Sequence, residues 1–404
     1  MATSTPSPPR RTKVPTTSEQ SRWLRHELRD WEREGLIDAS TAAAISERYV
    51  VDPQAADETG SRYAVTRIIL GLGAAFLGIG VIWLVAANLE SLPPLLRFLA
   101  VLLAWIGFAV AAELTEDLVQ KALRLLTVLA SGAVIFQAAQ SLQVPAFRPY
   151  LLLAWAASTL IYAYARRSRV AALVGIVLLV AWYIFQVMQF ETGVVTVSAA
   201  ILLAGVAAVA ISVLHPDSWE DFAALWLTAG VVLSLAGVFT AAVPESGSIH
   251  DWSGALTAGV ILALALVVAA AWQATPTQQR ELALAVASLV GGLVLTLWRP
   301  FHVSSGMTPD DYTLPMWLRT GLAIVIFLLL AGAWAMHGAR RRMPAITFAA
   351  TFAVVIFITF QSFAVFAPII SGATLFLVVG AVMIASGVIA DRARRRIESQ
   401  VRES

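Results

Sequence analysis

From Val65 onward the chain alternates long apolar runs with short polar breaks, and the runs have a characteristic length. A helix rises 1.5 Å per residue, so about 20 apolar residues cross a hydrocarbon layer of about 30 Å while satisfying every backbone N–H and C=O internally. Measured this way, apolar helices are predicted over 65–87, 95–112, 123–142, 150–165, 170–190, 194–214, 222–243, 252–272, 282–298, 316–337, 344–360 and 368–390. The fold class is therefore all-α: a polytopic transmembrane helical bundle of about twelve spans, preceded by a short soluble N-terminal helical hairpin.

The hairpin shows a different periodicity. Leu24, Leu28 and Trp31 fall at i, i+4 and i+7 in a helix beginning near Glu19. Gly35 supplies a left-handed stop, Asp38 or Ser40 can cap a second helix, and Ile45 and Tyr49 share a face of it. Leu24, Leu28, Trp31, Gly35, Ile45 and Tyr49 form the expected seam. The chain thus reads as a disordered tail (1–18), a cytoplasmic helical hairpin (19–50), a linker (51–64), a transmembrane bundle (65–390) and a basic cytoplasmic tail (391–404). The first apolar run is too long and too late for a cleaved signal peptide and is expected to act as an uncleaved anchor.

Composition strengthens this reading: 58% of residues are hydrophobic and 13% charged, with a mean hydropathy of +0.76. No aqueous fold hides so much apolar surface. With no cysteine there is no disulfide, thiolate metal site or cysteine nucleophile. A net charge of +2 gives no support for nucleic-acid binding, and residues 19–50 hold seven acidic against five basic residues, the wrong balance for a phosphate-binding hairpin. A membrane-bound regulator is disfavoured accordingly.

Lys and Arg set the orientation, because basic side chains in short loops stay on the cytoplasmic side. Lys121, Arg124, Arg166, Arg167, Arg169, Arg280, Arg340, Arg341, Arg342, Arg392, Arg394, Arg395 and Arg396 fall on alternate breaks, whereas Arg97, Arg148, Arg299 and Arg319 fall on the others. Both termini are expected inside, the break around Pro216 being the one inner break that lacks Lys and Arg. Trp83, Trp155, Trp182, Trp226, Trp252, Trp272, Trp298, Trp317 and Trp334 lie toward span ends and read as interfacial belt residues. Ala255 with Gly259 has helix-packing spacing, and the Arg-rich stretch 164–169 has an echo at 338–342, six spans later.

The stretch Trp23-Leu24, Leu28, Trp31, Gly35-Leu36-Ile37-Asp38, Ala44-Ile45 and Tyr49 resembles the opening of the bacterial membrane-protein family called domain of unknown function 2157. The resemblance continues through Gly78, Gly80, Ala86, Ala87 and Asn88, then Gln137, Gln140 and Tyr150, and Leu153-Ala154-Trp155, covering roughly the first half. Leu89 stands where members usually carry an aromatic residue. The resemblance implies a multi-pass protein of the bacterial inner membrane and brings no activity with it.

Enzyme signatures are missing: no His-Glu-x-x-His, no Walker loop, no paired intramembrane aspartates and no serine elbow with a partner histidine. No catalytic, cofactor-binding or metal-binding residue is assigned, no cofactor is expected, and the protein is read as not an enzyme. In-membrane polarity is confined to amides: Gln137, Gln140, Gln186 and Gln189 form a candidate cluster that either fixes the bundle or lines a path for a neutral solute. Arg299, His302, Asp310, Asp311 and Arg319 form a candidate contact site in outer loop 299–319. A structural or assembly component, docking a protein partner through the hairpin or this loop, is the leading reading. A carrier or channel for a neutral or amphiphilic solute is the alternative, and the oligomeric state is left open.

Overall fold

The computed structural model describes residues 14–16, 18–51, 93–145, 148–189, 193–243, 252–298 and 313–366, with isolated positions at 69, 72, 73, 76, 80, 380 and 384. The expected spans 65–87 and 368–390, the linker beyond residue 51 and the C-terminal tail fall outside the described residues, apart from those isolated positions. The other ten expected spans each coincide with a helix.

Those helices follow the hairpin helices α1 (Ser18–Arg33) and α2 (Ala39–Arg48) in the order α3 (Pro94–Leu114), α4 (Asp117–Ser141), α5 (Pro149–Ala165), α6 (Arg169–Val187), α7 (Val194–Leu214), α8 (Glu220–Ala242), α9 (Gly254–Gln273), α10 (Pro276–Leu297), α11 (Leu314–Arg340) and α12 (Pro344–Phe366). Among the described residues, nine helices are long and apolar enough to cross a membrane; α5, with 17 residues, is shorter. Their starts follow from capping. Pro occupies the first turn of α5, α10 and α11, where its missing N–H costs nothing, and the Ser168 and Ser253 side chains accept from Ala171 and Leu256 N–H.

Several helices extend beyond the expected spans, α4 starting at Asp117 and α12 running to Phe366 among them. Thr275 and Gln278 form a reciprocal capping box that starts α10 at Pro276, six residues before the anticipated Leu282, so that Arg280 and Glu281 are helical. Likewise α11 runs on to Arg340, which brings His337 inside the helix and buries it.

The chain divides into two compact units, residues 1–88 with 108–126 and residues 89–107 with 127–404. In the first, α1 ends in a Schellman motif: Gly35 takes φ +72°, Gly35 N–H donates to Glu32 O and Leu36 N–H to Trp31 O. Asp38 is the α2 cap, accepting from Thr41 N–H at 2.9 Å, and Ser40 Oγ donates to its other oxygen. Val14–Thr16, expected in the disordered tail, instead pairs in parallel with Tyr49–Val51. Pro15 is tolerated there because a two-stranded sheet has only edge strands.

In the second unit α7 and α8 are central, with about half of their apolar windows buried against 17% for α9. They cross at glycines. A Cβ on Gly230 would lie 2.9 Å from Val209 N and 3.0 Å from Gly205 O, so the backbones touch where no side chain intervenes. Leu202 fills the space that Gly237 leaves. On the far side of α8, Phe327 of α11 stacks on Phe357 of α12 at 3.9 Å, and Phe239 meets both edge-on.

Candidate functional site

Hydroxyls within the spans mostly fold back on their own helix. Ser131, Ser198, Thr228, Ser288 and Thr320 each donate to a carbonyl three or four residues earlier at 2.8–3.0 Å, which adds no polarity to the helix surface. Tyr183 Oη, Ser234 Oγ and Trp334 Nε1 are buried without such a partner. Three clusters of stronger groups stand apart from this background.

Glu281 centres the first. Its side chain is 1% exposed, and Oε1 accepts from His337 Nε2 at 2.9 Å and from Arg341 Nη1 at 2.6 Å. His337 and Arg341 are one helical turn apart, so one face of the α11 end closes on the first turns of α10. Trp334 packs edge-on against the imidazole at 6.1 Å. A carboxylate this buried is tolerable only when its charge is matched and its lone pairs are used, and two donors on one oxygen supply both.

Arg319 forms the second, at the opposite ends of the helices. It is 4% exposed, and its guanidinium donates to Ala241 O (2.9 Å), Ala242 O (3.4 Å), Leu295 O (3.1 Å) and Trp298 O (3.0 Å). These carbonyls end α8 and α10, where helices leave acceptors unfilled and the dipole is negative. One planar cation therefore closes two helix C-termini from a third helix.

In the third, donation runs in one direction. Trp226 Nε1 donates to Tyr164 Oη at 2.9 Å; His215 Nδ1 lies 2.7 Å from Ile211 O, which can only accept, so Nε2 accepts from Tyr164 Oη at 2.7 Å. Alongside, Arg167 lies 4.6 Å over the Trp219 ring and Arg169 pairs with Asp221. The α5–α6 turn thereby supplies cations to the α7–α8 turn, the break around Pro216 that has none of its own.

The hairpin seam is partly assembled as expected: Leu28 is buried, while Leu24, Trp31, Ile45 and Tyr49 are half-buried. A groove between α1 and α2 is lined by Leu28, Arg29, Glu32, Ala39, Ala42, Ala43 and Ser46. Of the amides, Gln186 Nε2 donates to Gln189 Oε1 at 3.4 Å across the C-terminal end of α6. Gln137 is half-buried and Gln140 exposed on α4, and among the described residues this pair makes no hydrogen bond to the α6 pair. Arg299, His302, Asp310 and Asp311 lie outside the described residues; Arg319 is a buried helix clamp. Trp252, Trp272, Trp298 and Trp317 are exposed, whereas Trp226 and Trp334 are core residues and Trp155 donates to Val128 O across α4 and α5. Among the described residues no group of three metal-ligating side chains occurs.

Stacked apolar helices of membrane-spanning length, whose buried charges among the described residues are met by side-chain partners or helix-end carbonyls, define a polytopic α-helical membrane protein. Within it, residues 29–172 match the family described as Predicted membrane protein (DUF2157). This segment takes in the end of α1, all of α2 to α5 and the start of α6. No curated protein and no solved structure matches the chain.

The triad of Glu281, His337 and Arg341 was not anticipated. The available signal was an acidic residue directly preceding an apolar run, with His337 and Arg341 four apart at another span end.

Proposed function

We propose that the protein is a non-catalytic structural or assembly component of the bacterial inner membrane, with both termini cytoplasmic and the N-terminal hairpin as its docking element. The observation that carries this reading is the way strong polar groups in the bundle are spent on the bundle itself. Glu281 is consumed by His337 and Arg341, and Arg319 by helix ends. Such contacts make a rigid scaffold. The hairpin, by contrast, presents an open groove with polar and apolar walls. A carrier for a neutral solute is the alternative reading: among the described residues the α4 amides and the amides at the end of α6 do not bond to one another, so they do not tie these helices together.

The orientation is supported by the turns that share cations, α5–α6 with α7–α8 and α9–α10 with α11–α12, which belong to one side, as the Lys and Arg distribution requires. A photo-cross-linking residue placed at Ala42 in the full chain, expressed in a bacterial host, tests the docking role. A discrete protein adduct that disappears when Leu28 is changed to Asp supports it. Adducts to lipid alone, together with solute uptake by proteoliposomes, would transfer the protein to the carrier class. Alkaline phosphatase fused after Ser404 must be inactive if the C-terminus is cytoplasmic.

A further inference from the structure

Two helix-to-helix turns are built alike, 175 residues apart in the numbering. After α5, Arg167 N–H donates to Tyr164 O and Ser168 N–H to Ala163 O; after α11, Arg342 N–H donates to Ala339 O and Met343 N–H to Gly338 O. In both, the left-handed residue is an arginine, Arg167 at φ +47° and Arg342 at φ +55°. Both turns are rich in arginine, yet their surroundings differ. In the first, Arg167 lies on Trp219 and Arg169 pairs with Asp221. In the second, the one carboxylate in contact among the described residues, Glu281, is buried and engages Arg341.

Arg280, beside Glu281, and Arg340 and Arg342, on either side of Arg341, are exposed, and their side chains have no hydrogen-bond or ion-pair partner among the described residues. Arg341 itself remains 37% exposed beyond its bond to Glu281. The Arg341–Glu281 pair thus joins the start of α10, which carries Arg280, to the turn that carries Arg340 and Arg342, at the ends of membrane-spanning helices, where the bilayer presents phosphates. Guanidinium groups bind phosphate oxygens in pairs of parallel hydrogen bonds, and each cation near an anionic leaflet strengthens attachment by about fivefold. We propose that Arg280, Arg340, Arg341 and Arg342 form a binding site for the headgroup of an anionic phospholipid. This inference is independent of the docking role of the hairpin.

The test uses the full chain in a neutral detergent, titrated with phosphatidylglycerol or phosphatidylcholine, with the melting temperature and the lipid retained in native mass spectrometry as readouts. Phosphatidylglycerol is expected to raise the melting temperature and to be retained. Arg280→Gln with Arg342→Gly should weaken that response about 25-fold, at about fivefold for each cation removed. Glycine is the unstrained residue at the Arg342 backbone, so this variant should melt no lower than the parent in phosphatidylcholine. Arg167→Gly with Arg169→Gln removes an equal charge from the neutralised turn and should leave the response intact. An undiminished phosphatidylglycerol response in the double variant overturns the proposal. So does an equal loss in Arg167→Gly with Arg169→Gln, which would mean bulk charge alone, or equal protection by inorganic phosphate, which would mean that no lipid is required.

Discussion

Arg319 Nη2 donates to the carbonyl oxygen of Ala241 at 2.9 Å, across 78 residues of sequence. The same guanidinium reaches Leu295 and Trp298, so α8 and α10 end on one side chain of α11. Arg319→Leu is expected to destabilise the bundle by roughly 3 kcal/mol, because several buried carbonyls lose their donor at once. Arg319→Lys should recover only part of this, since a single ammonium cannot present a planar fork to two helix ends. Melting of the purified protein in detergent measures both, and equal stability of parent and Leu variant would remove the clamp role.

Glu281 is expected to behave as half of a coupled pair. Glu281→Leu leaves Arg341 and His337 facing an apolar side chain and should cost about 3 kcal/mol. If the Glu281–Arg341 bond is the main coupling, adding Arg341→Leu should cost markedly less than in the parent background, giving an interaction energy of about 1–3 kcal/mol in a double-mutant cycle. Strict additivity would show that the two residues act separately.

The α7–α8 crossing makes a steric prediction. Gly230→Ala places a methyl 2.9 Å from Val209 N and 3.0 Å from Gly205 O, both main-chain atoms that cannot swing aside. The helices must part, at about 1–3 kcal/mol. Gly254→Ala, where the new methyl meets nothing within 4 Å, is the control and should be nearly silent.

In the hairpin, Asp38 is held below its ordinary value of 3.8 by hydrogen bonds from Thr41, through side chain and backbone, and from Ser40. Because the folded state favours the ionised form, its contribution is present above pH 3.8 and fades as pH falls through the lower folded value. Protease protection of residues 19–49 in the full chain should therefore drop on acidification below about pH 4, and Asp38→Ala should lose protection even at neutral pH. Gly35→Val, at φ +72°, should loosen the same segment while leaving membrane insertion unchanged.

Depth was readable from the sequence; azimuth was not. Apolar run length places each span along the bilayer normal, which is why ten expected spans coincide with helices. Which side of a helix meets its neighbours is poorly marked, since lipid and protein interior are equally apolar. Trp155, Trp226 and Trp334 illustrate this: their position near span ends suggested the interface, whereas their direction takes them into the bundle. Likewise Arg319 reads as part of outer loop 299–319, and no pattern announces that it lies buried in α11 with backbone carbonyls of two other helices as its acceptors. Glu281 escaped notice because the capping box at Thr275 draws the helix start outward past the limit set by hydropathy. The β1 pairing of Val14–Thr16 with β2 Tyr49–Val51 joins segments too far apart for any local periodicity to reveal.

The Arg319 clamp also bears on biogenesis. Ribosomes deliver the ends of α8 and α10 before α11, so the carbonyls of Ala241 and Leu295 wait 78 and 24 residues of further synthesis for their donor. Arg319, in turn, enters a span whose hydropathy barely tolerates a guanidinium unless those acceptors are already beside it. The three helices must therefore remain together at the insertion machinery until α11 emerges, and release into lipid happens to a group of helices instead of one at a time.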